Sequence, residues 1–154
     1  MKKLVFALAF CTLSIFSFSQ ELKFESGRQK HDGKPAMFNN VASRFAPSQN
    51  FIGDVMNARL NEKVDLVVTN GFRFKGEVTA ISNDAPGLTT VTIQSTDRPG
   101  LLLSISRVTL SDKSVTYRGI MLSQKHSDML MMEKDPVTGS YNWNKKQVSH
   151  MIAD

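Results

Sequence analysis

The sequence predicts a mainly β fold: a single antiparallel meander, curled into a sheet, a sandwich or a partly open barrel, with one short helix near its N-terminal end. Three features predict it. After Glu62 the apolar residues recur at every second position, the period of a strand with one buried face. Clusters of turn-forming residues then arrive roughly every ten to fourteen residues. The connections between the β-favouring runs are too short for the crossovers that parallel strands require.

The first nineteen residues, Met1 to Ser19, read as a secretory signal peptide. Lys2 and Lys3 form its positive end, Leu4 to Phe18 its apolar segment, and Ser17-Phe18-Ser19 its small-x-small cleavage pattern, with cleavage before Gln20. The apolar run is about fifteen residues long, short of the roughly twenty that span a bilayer, and no basic stop-transfer flank follows it. The expectation is export to the periplasm, the cell surface or the extracellular space, with no transmembrane anchor. Cys11, the sole cysteine, does not read as a lipidation site, because Phe10 stands where that pattern wants a small residue and the apolar run continues past it. Once the leader is removed no cysteine remains, so disulfides, thiolate catalysis and thiolate metal sites are excluded from the mature chain. Loss of Lys2 and Lys3 leaves 17 basic residues of the 19 against 14 acidic ones, a net charge of +3. That is far from the dense basic field on which nucleic-acid binding depends. The remaining chain of about 135 residues suits one domain and can bury around two-thirds of its unfolded surface.

Residues 20–47 are polar, carry Gly27, Gly33, Pro35 and Pro47, and hold no apolar period; they read as a flexible arm on which Phe24, Phe38 and Phe45 dock singly at most. The β domain is placed at 48–154. Its helix is predicted near 48–60, with Ser48 as N-cap and Ile52, Met56 and Leu60 on one stripe at i, i+4 and i+8. Gly53 weakens it by on the order of 1 kcal/mol relative to Ala.

KVDLVVT then runs into Asn70-Gly71, the dipeptide best suited to the positive φ angles of a type I′ hairpin, and FRFKGEVTAIS follows as the next strand. TTVTIQS, LLLSISRVTL, SVTYRGIML, DMLMMEK and SYNWNKKQVSHMI continue the meander, separated by SNDAPG, TDRPG, SDKS, SQKHS and DPVTG. Alternation selects a core: Phe72, Phe74, Val78 and Ala80 on one face of their strand, then Val91 and Ile93, then Leu101, Leu103 and Ile105. Gly76 and Gly119 inside strands read as bulges or tight bends.

Chemistry-bearing motifs are scarce. The chain carries no nucleophile elbow, phosphate-cradling glycine loop or paired-histidine zinc motif, and His31, His126 and His150 are too far apart for a local metal motif. His126, Ser127 and Asp128 invite a hydrolytic reading, but a triad also needs an ordered nucleophile and an oxyanion hole, so a polar turn is the better account. Met129 and Met131 share a strand face and thioethers suit Cu(I), yet methionine also fills core space well, and core packing is the expectation. No cofactor, metal or catalytic residue is expected. Aromatic and basic residues interleave at Arg73 and Lys75, beside Phe72 and Phe74, and again at Tyr141, Trp143, Lys145 and Lys146. On a concave sheet these six form a candidate site for an envelope polysaccharide, lipid or other polyanion. The competing reading turns the aromatics inward and the four cations to solvent.

From about Arg59 to Asn144 the chain resembles the small β-sheet prodomains of secreted bacterial zinc metalloproteases. The resemblance lies in a short helix, the KVDLVV strand, the Asn70-Gly71 turn, the FKGEV strand, the Tyr117-Arg118-Gly119-Ile120 strand and a hairpin from Leu130 to Tyr141. No HExxH helix accompanies it, so the resemblance implies a free-standing inhibitor or partner-binding module and carries over no catalytic residue. The function expected from the sequence is a noncatalytic exported β domain that binds an envelope or secreted protein. The alternative is polyanion or glycan binding on the concave sheet.

Overall fold

The seven strands expected from Lys63 onward are all present, and they form one antiparallel sheet curled into a half-barrel with one short helix. The structure, a computed structural model, describes residues 33–148. The expected leader, Phe24, His31 and His150 lie outside the described residues, as does the first part of the expected arm. In chain order the elements are β1 (Arg44–Phe45), α1 (Phe51–Asn57), β2 (Lys63–Thr69), β3 (Phe72–Ala85), β4 (Leu88–Ser95), β5 (Leu101–Thr109), β6 (Val115–Ser123), β7 (Asp128–Lys134) and β8 (Tyr141–Gln147). The strand order is β1-β8-β7-β6-β5-β4-β3-β2, so β2 through β8 follow one another as a meander and β1 closes the far edge.

Register puts the core in lateral rows, because residues directly opposite on neighbouring strands share a face. One row runs Trp143, Met132, Gly119, Ile105, Val91; the next runs Leu130, Met121, Leu103, Ile93, Val78. Gly119 is buried, and every other member is at most 1 % exposed. Gly119 and Gly76 are not bulges, since the register runs through both without a shift. They are close-approach positions. A Cβ on Gly119 would stand 2.7 Å from Ile105 Cδ1 and 2.9 Å from Trp143 Cη2, and one on Gly76 would stand 2.6 Å from the carbonyl oxygen of Gln94.

The real irregularities of β3 lie between Val78 and Ala80 and between Ser82 and Ala85. The first inserts a residue and inverts the alternation. Ala80 is therefore exposed rather than core, and Ile81 pairs with Val91 instead. The strand also continues through Ser82–Ala85, most of what reads as a turn cluster, leaving Pro86-Gly87 as the connection. At the β2–β3 hairpin Gly71 has φ +80°, but Asn70 is not among the residues with positive φ. A type I′ turn needs both, so the turn is of another type, and a register shift between Val67 and Thr69 accommodates it.

Helix α1 is shorter than expected and rotated by one residue. Phe51 and Val55 are buried, Ile52 and Met56 pack at the flank, and Leu60 lies beyond the helix and is 54 % exposed. The sheet curls onto the Phe51 stripe, where Phe51 meets Trp143 edge-on with ring centroids 5.8 Å apart. Ser48 is not the cap. Its N–H donates to the Val68 carbonyl at 2.8 Å and its hydroxyl to the Val67 carbonyl, which ties the approach to α1 onto β2.

From Gly33 onward the segment expected as a loose arm is part of the domain. Phe38 is 1 % exposed and meets Phe72 edge-on at 6.1 Å, and Arg44–Phe45 pair with Asn144 and Trp143. With α1 it fills the inner face of the curl.

Candidate functional site

The six residues singled out for binding do not form one site. Arg73 and Lys75 lie on β3 while Tyr141 to Lys146 lie on β8, with four strands between them, about 20 Å or more along the sheet at ~4.8 Å per strand step. Arg73 is committed to Asp65 through a 2.9 Å ion pair, and this bond holds the Asp65 carboxyl below its ordinary range. Lys146 pairs with Glu133 at 2.7 Å. Lys75 is exposed on the outer face of β3. Trp143 is fully buried and cannot stack a surface ligand, which removes the centre of the glycan reading. Its indole N–H has no hydrogen-bond partner among the described residues, a cost that the burial of a large ring at the middle of the core outweighs.

Lys145 does not face solvent. Trp143 and Lys145 are two apart on one strand and so project to the same side. The Lys145 ammonium reaches over the core edge and donates to the carbonyls of Phe38 and Val41, 3.0 Å each. Its counterpart is Asp128, 1 % exposed, whose carboxylate accepts the N–H groups of Met37 at 2.6 Å and Phe38 at 2.9 Å. One acid and one base from adjacent strands thus hold the backbone of residues 37–41 as a strap. These charge-assisted bonds satisfy main-chain groups that no strand neighbour reaches. Asp128 is therefore not the orienting acid of a hydrolytic corner; the His126 ring lies 3.0 Å from the Ser123 hydroxyl instead. The sequence held a signal for this pair, since both charges fall on the core parity of their strands, Asp128 with Leu130 and Lys145 with Trp143.

Tyr141 repairs the sheet. Pairing between β6 and β7 stops at Gly119 with Met132, which leaves the Tyr117 N–H without a ladder partner, and the Tyr141 hydroxyl accepts it at 3.0 Å from beyond β7. The methionines split between faces. Met132 joins the core, whereas Met129 and Met131 lie on the opposite face, the first buried and the second half-buried.

The feature with the chemistry of a binding site involves a residue of the TDRPG turn cluster. Where the strap and β1 approach the β2–β3 hairpin, a cleft of about 500 Å³ opens at the seam of the half-barrel. Its apolar wall includes Phe38, Val41, Phe45 and Phe72, and Asn40 and Asn70 stand at the rim. Arg98, from the loop between β4 and β5, is the one charged residue lining it. The guanidinium sits over the Phe72 ring at 5.0 Å from its centroid, and it has no hydrogen-bond or ion-pair partner among the described residues. An aromatic face fixes the plane of a guanidinium while leaving its N–H fork free. The arrangement can therefore bind a small anionic group joined to an apolar one. Among the described residues no helix is long and apolar enough to cross a membrane. Comparison with protein-family models, with curated proteins and with solved structures finds no match to this chain.

Proposed function

We propose that this chain is a noncatalytic exported β domain that binds a protein partner, in its sharpest form a free-standing inhibitor of the kind the prodomain resemblance implies. One observation carries the reading: the seam cleft, where an apolar wall meets, at the surface, a guanidinium with no ion-pair partner among the described residues. Sites of this composition and size take ligand groups, because the apolar wall supplies binding energy and the few polar groups fix orientation. The inner face of the sheet, by contrast, is filled by α1, the strap and Trp143, so it offers no concave platform for a polysaccharide or lipid.

The test is retention of a partner by the immobilised protein from cell-envelope and secreted fractions, compared with an Ala42→Trp variant. Ala42 is exposed at the cleft, so an indole there fills it without disturbing the core. The expected result is a specific protein held by the parent and lost from Ala42→Trp. Equal retention by both, or none by the parent alongside saturable binding of a glycan, overturns the proposal.

A further inference from the structure

We propose that the seam cleft recognises the free C-terminus of the partner, with Arg98 pairing the terminal carboxylate and the apolar wall taking the last side chain. The inference rests on the protein-partner reading and names what in the partner is read.

The charge balance selects a single anion. Arg98 is the only charged residue among those lining the cleft, so one negative charge is matched, whereas a phosphate dianion would stay half-compensated. Carboxylate also fits the planar N–H fork bidentately. The neighbouring Asn40 and Asn70 amides carry N–H donors with no partner among the described residues, ready to share the same anion.

The apolar wall then excludes an acidic side chain. In Asp or Glu the carboxylate is the tip of the side chain and nothing apolar lies beyond it. In a C-terminal residue the carboxylate and the side chain leave the same carbon, so an anion at Arg98 puts an apolar group directly against Phe45, Val41 and Phe72. The cleft volume of about 500 Å³ suits such a residue together with part of the one before it.

Main chain, rather than an alkyl acid, is favoured by what flanks the cleft. β1 and β2 are the two end strands of the sheet, and the cleft draws Phe45 from the first and Thr69 from the second. On β2 the Val67 and Val68 carbonyls already accept from Ser48, so the main chain left for an extended peptide to pair, which a hydrocarbon chain cannot, is the outer edge of β1.

The experiment titrates the isotopically labelled protein with two pools of six-residue peptides, randomised at the first five positions and ending in Leu or Phe, one pool as free acids and one as C-terminal amides. Dodecanoate serves as the alkyl-acid probe, and Arg98→Gln as the variant. Arg98 sits in a surface loop with no ion pair among the described residues, so Arg98→Gln should fold, and its urea midpoint verifies this. The expected result is saturable shifts of the Arg98 side-chain N–H and the Asn40 and Asn70 amides with the acid pool. Amidation and Arg98→Gln should each weaken binding at least tenfold. Equal binding of acids and amides, no shift at Arg98, or dodecanoate binding more tightly than the acid pool each overturns the proposal. The two readings fail separately. A partner retained equally by the parent and by Arg98→Gln, yet lost from Ala42→Trp, leaves the partner reading standing and removes this one.

Discussion

Gly119→Ala adds one methyl group at the most crowded point of the core, and the structure sets its cost. The new Cβ would lie 2.7 Å from Ile105 Cδ1, 2.9 Å from Trp143 Cη2 and 3.0 Å from Met132 Cβ. The first two are ends of side chains, but Met132 Cβ is fixed to the backbone of β7 and can move only with the strand. Overpacking of this kind costs about 1–3 kcal/mol, and the clash on both sides of the row puts Gly119→Ala in the upper half of that range. With a urea slope of about 1–3 kcal/mol/M, the midpoint should fall by on the order of 1 M. Trp143 is the single tryptophan and touches the site, so its fluorescence follows unfolding directly. Ile105→Val removes the nearest obstructing atom. Alone it should cost about 0.5–1.5 kcal/mol, but combined with Gly119→Ala it should restore part of the loss, a positive coupling. Gly53→Ala is the control: its Cβ meets nothing within 4 Å and it lies in α1, so it should raise stability by roughly 0.5–1 kcal/mol. A parental midpoint for Gly119→Ala would show that Trp143 does not pack across β6 as described.

Asp128→Ala strands the Met37 and Phe38 amides and should cost on the order of 2–3 kcal/mol, with Asp128→Asn costing less because one acceptor oxygen remains; amide exchange at those two residues should rise in parallel. Gly71→Val has open space around it but must hold φ near +80°, so its loss, about 1–3 kcal/mol in urea titration, comes from backbone strain alone. The Asp135 carboxyl is pulled down to about 2 by the Thr138 amide, the Arg44 guanidinium and the Val137 amide. A folded-state value below the unfolded one means that this group stabilises the fold above about pH 4 and that the contribution disappears as pH falls towards 2; Asp135→Asn should flatten that part of an acid-unfolding curve.

The meander was legible because strand alternation and turn clusters are local signals, and β2, β4, β5, β6, β7 and β8 begin and end within a residue or two of their expected limits among the described residues. The misreadings have nonlocal causes. Nothing in the residues around Thr79 announces that a bulge will turn Ala80 outward and set Ile81, itself still 38 % exposed, opposite Val91. The helix stripe at Ile52, Met56 and Leu60 is as apolar as the one at Phe51 and Val55, and the sheet, not the helix, chooses between them. Gly119 and Gly76 carry their meaning in neighbours on other strands, Ile105, Met132 and Trp143 for the first and Ile93 and Gln94 for the second. Lys145 and Lys146 could not both face solvent on a regular strand, so parity alone implied an inward cation, although not that it would seek the carbonyls of Phe38 and Val41. Arg98 was the least legible. It sits in a turn cluster, TDRPG, and becomes a site only because Phe72 and the strap converge there from elsewhere in the chain.

The most direct test of the functional account is amide hydrogen exchange of the protein alone and bound to the partner it captures. The account predicts added protection at residues 40–45, at Thr69 to Phe72 and around Arg98, with the outer face of β5, β6 and β7 unchanged. Protection confined to that outer face, with Arg98 and the β2–β3 hairpin exchanging as in the free protein, would contradict it.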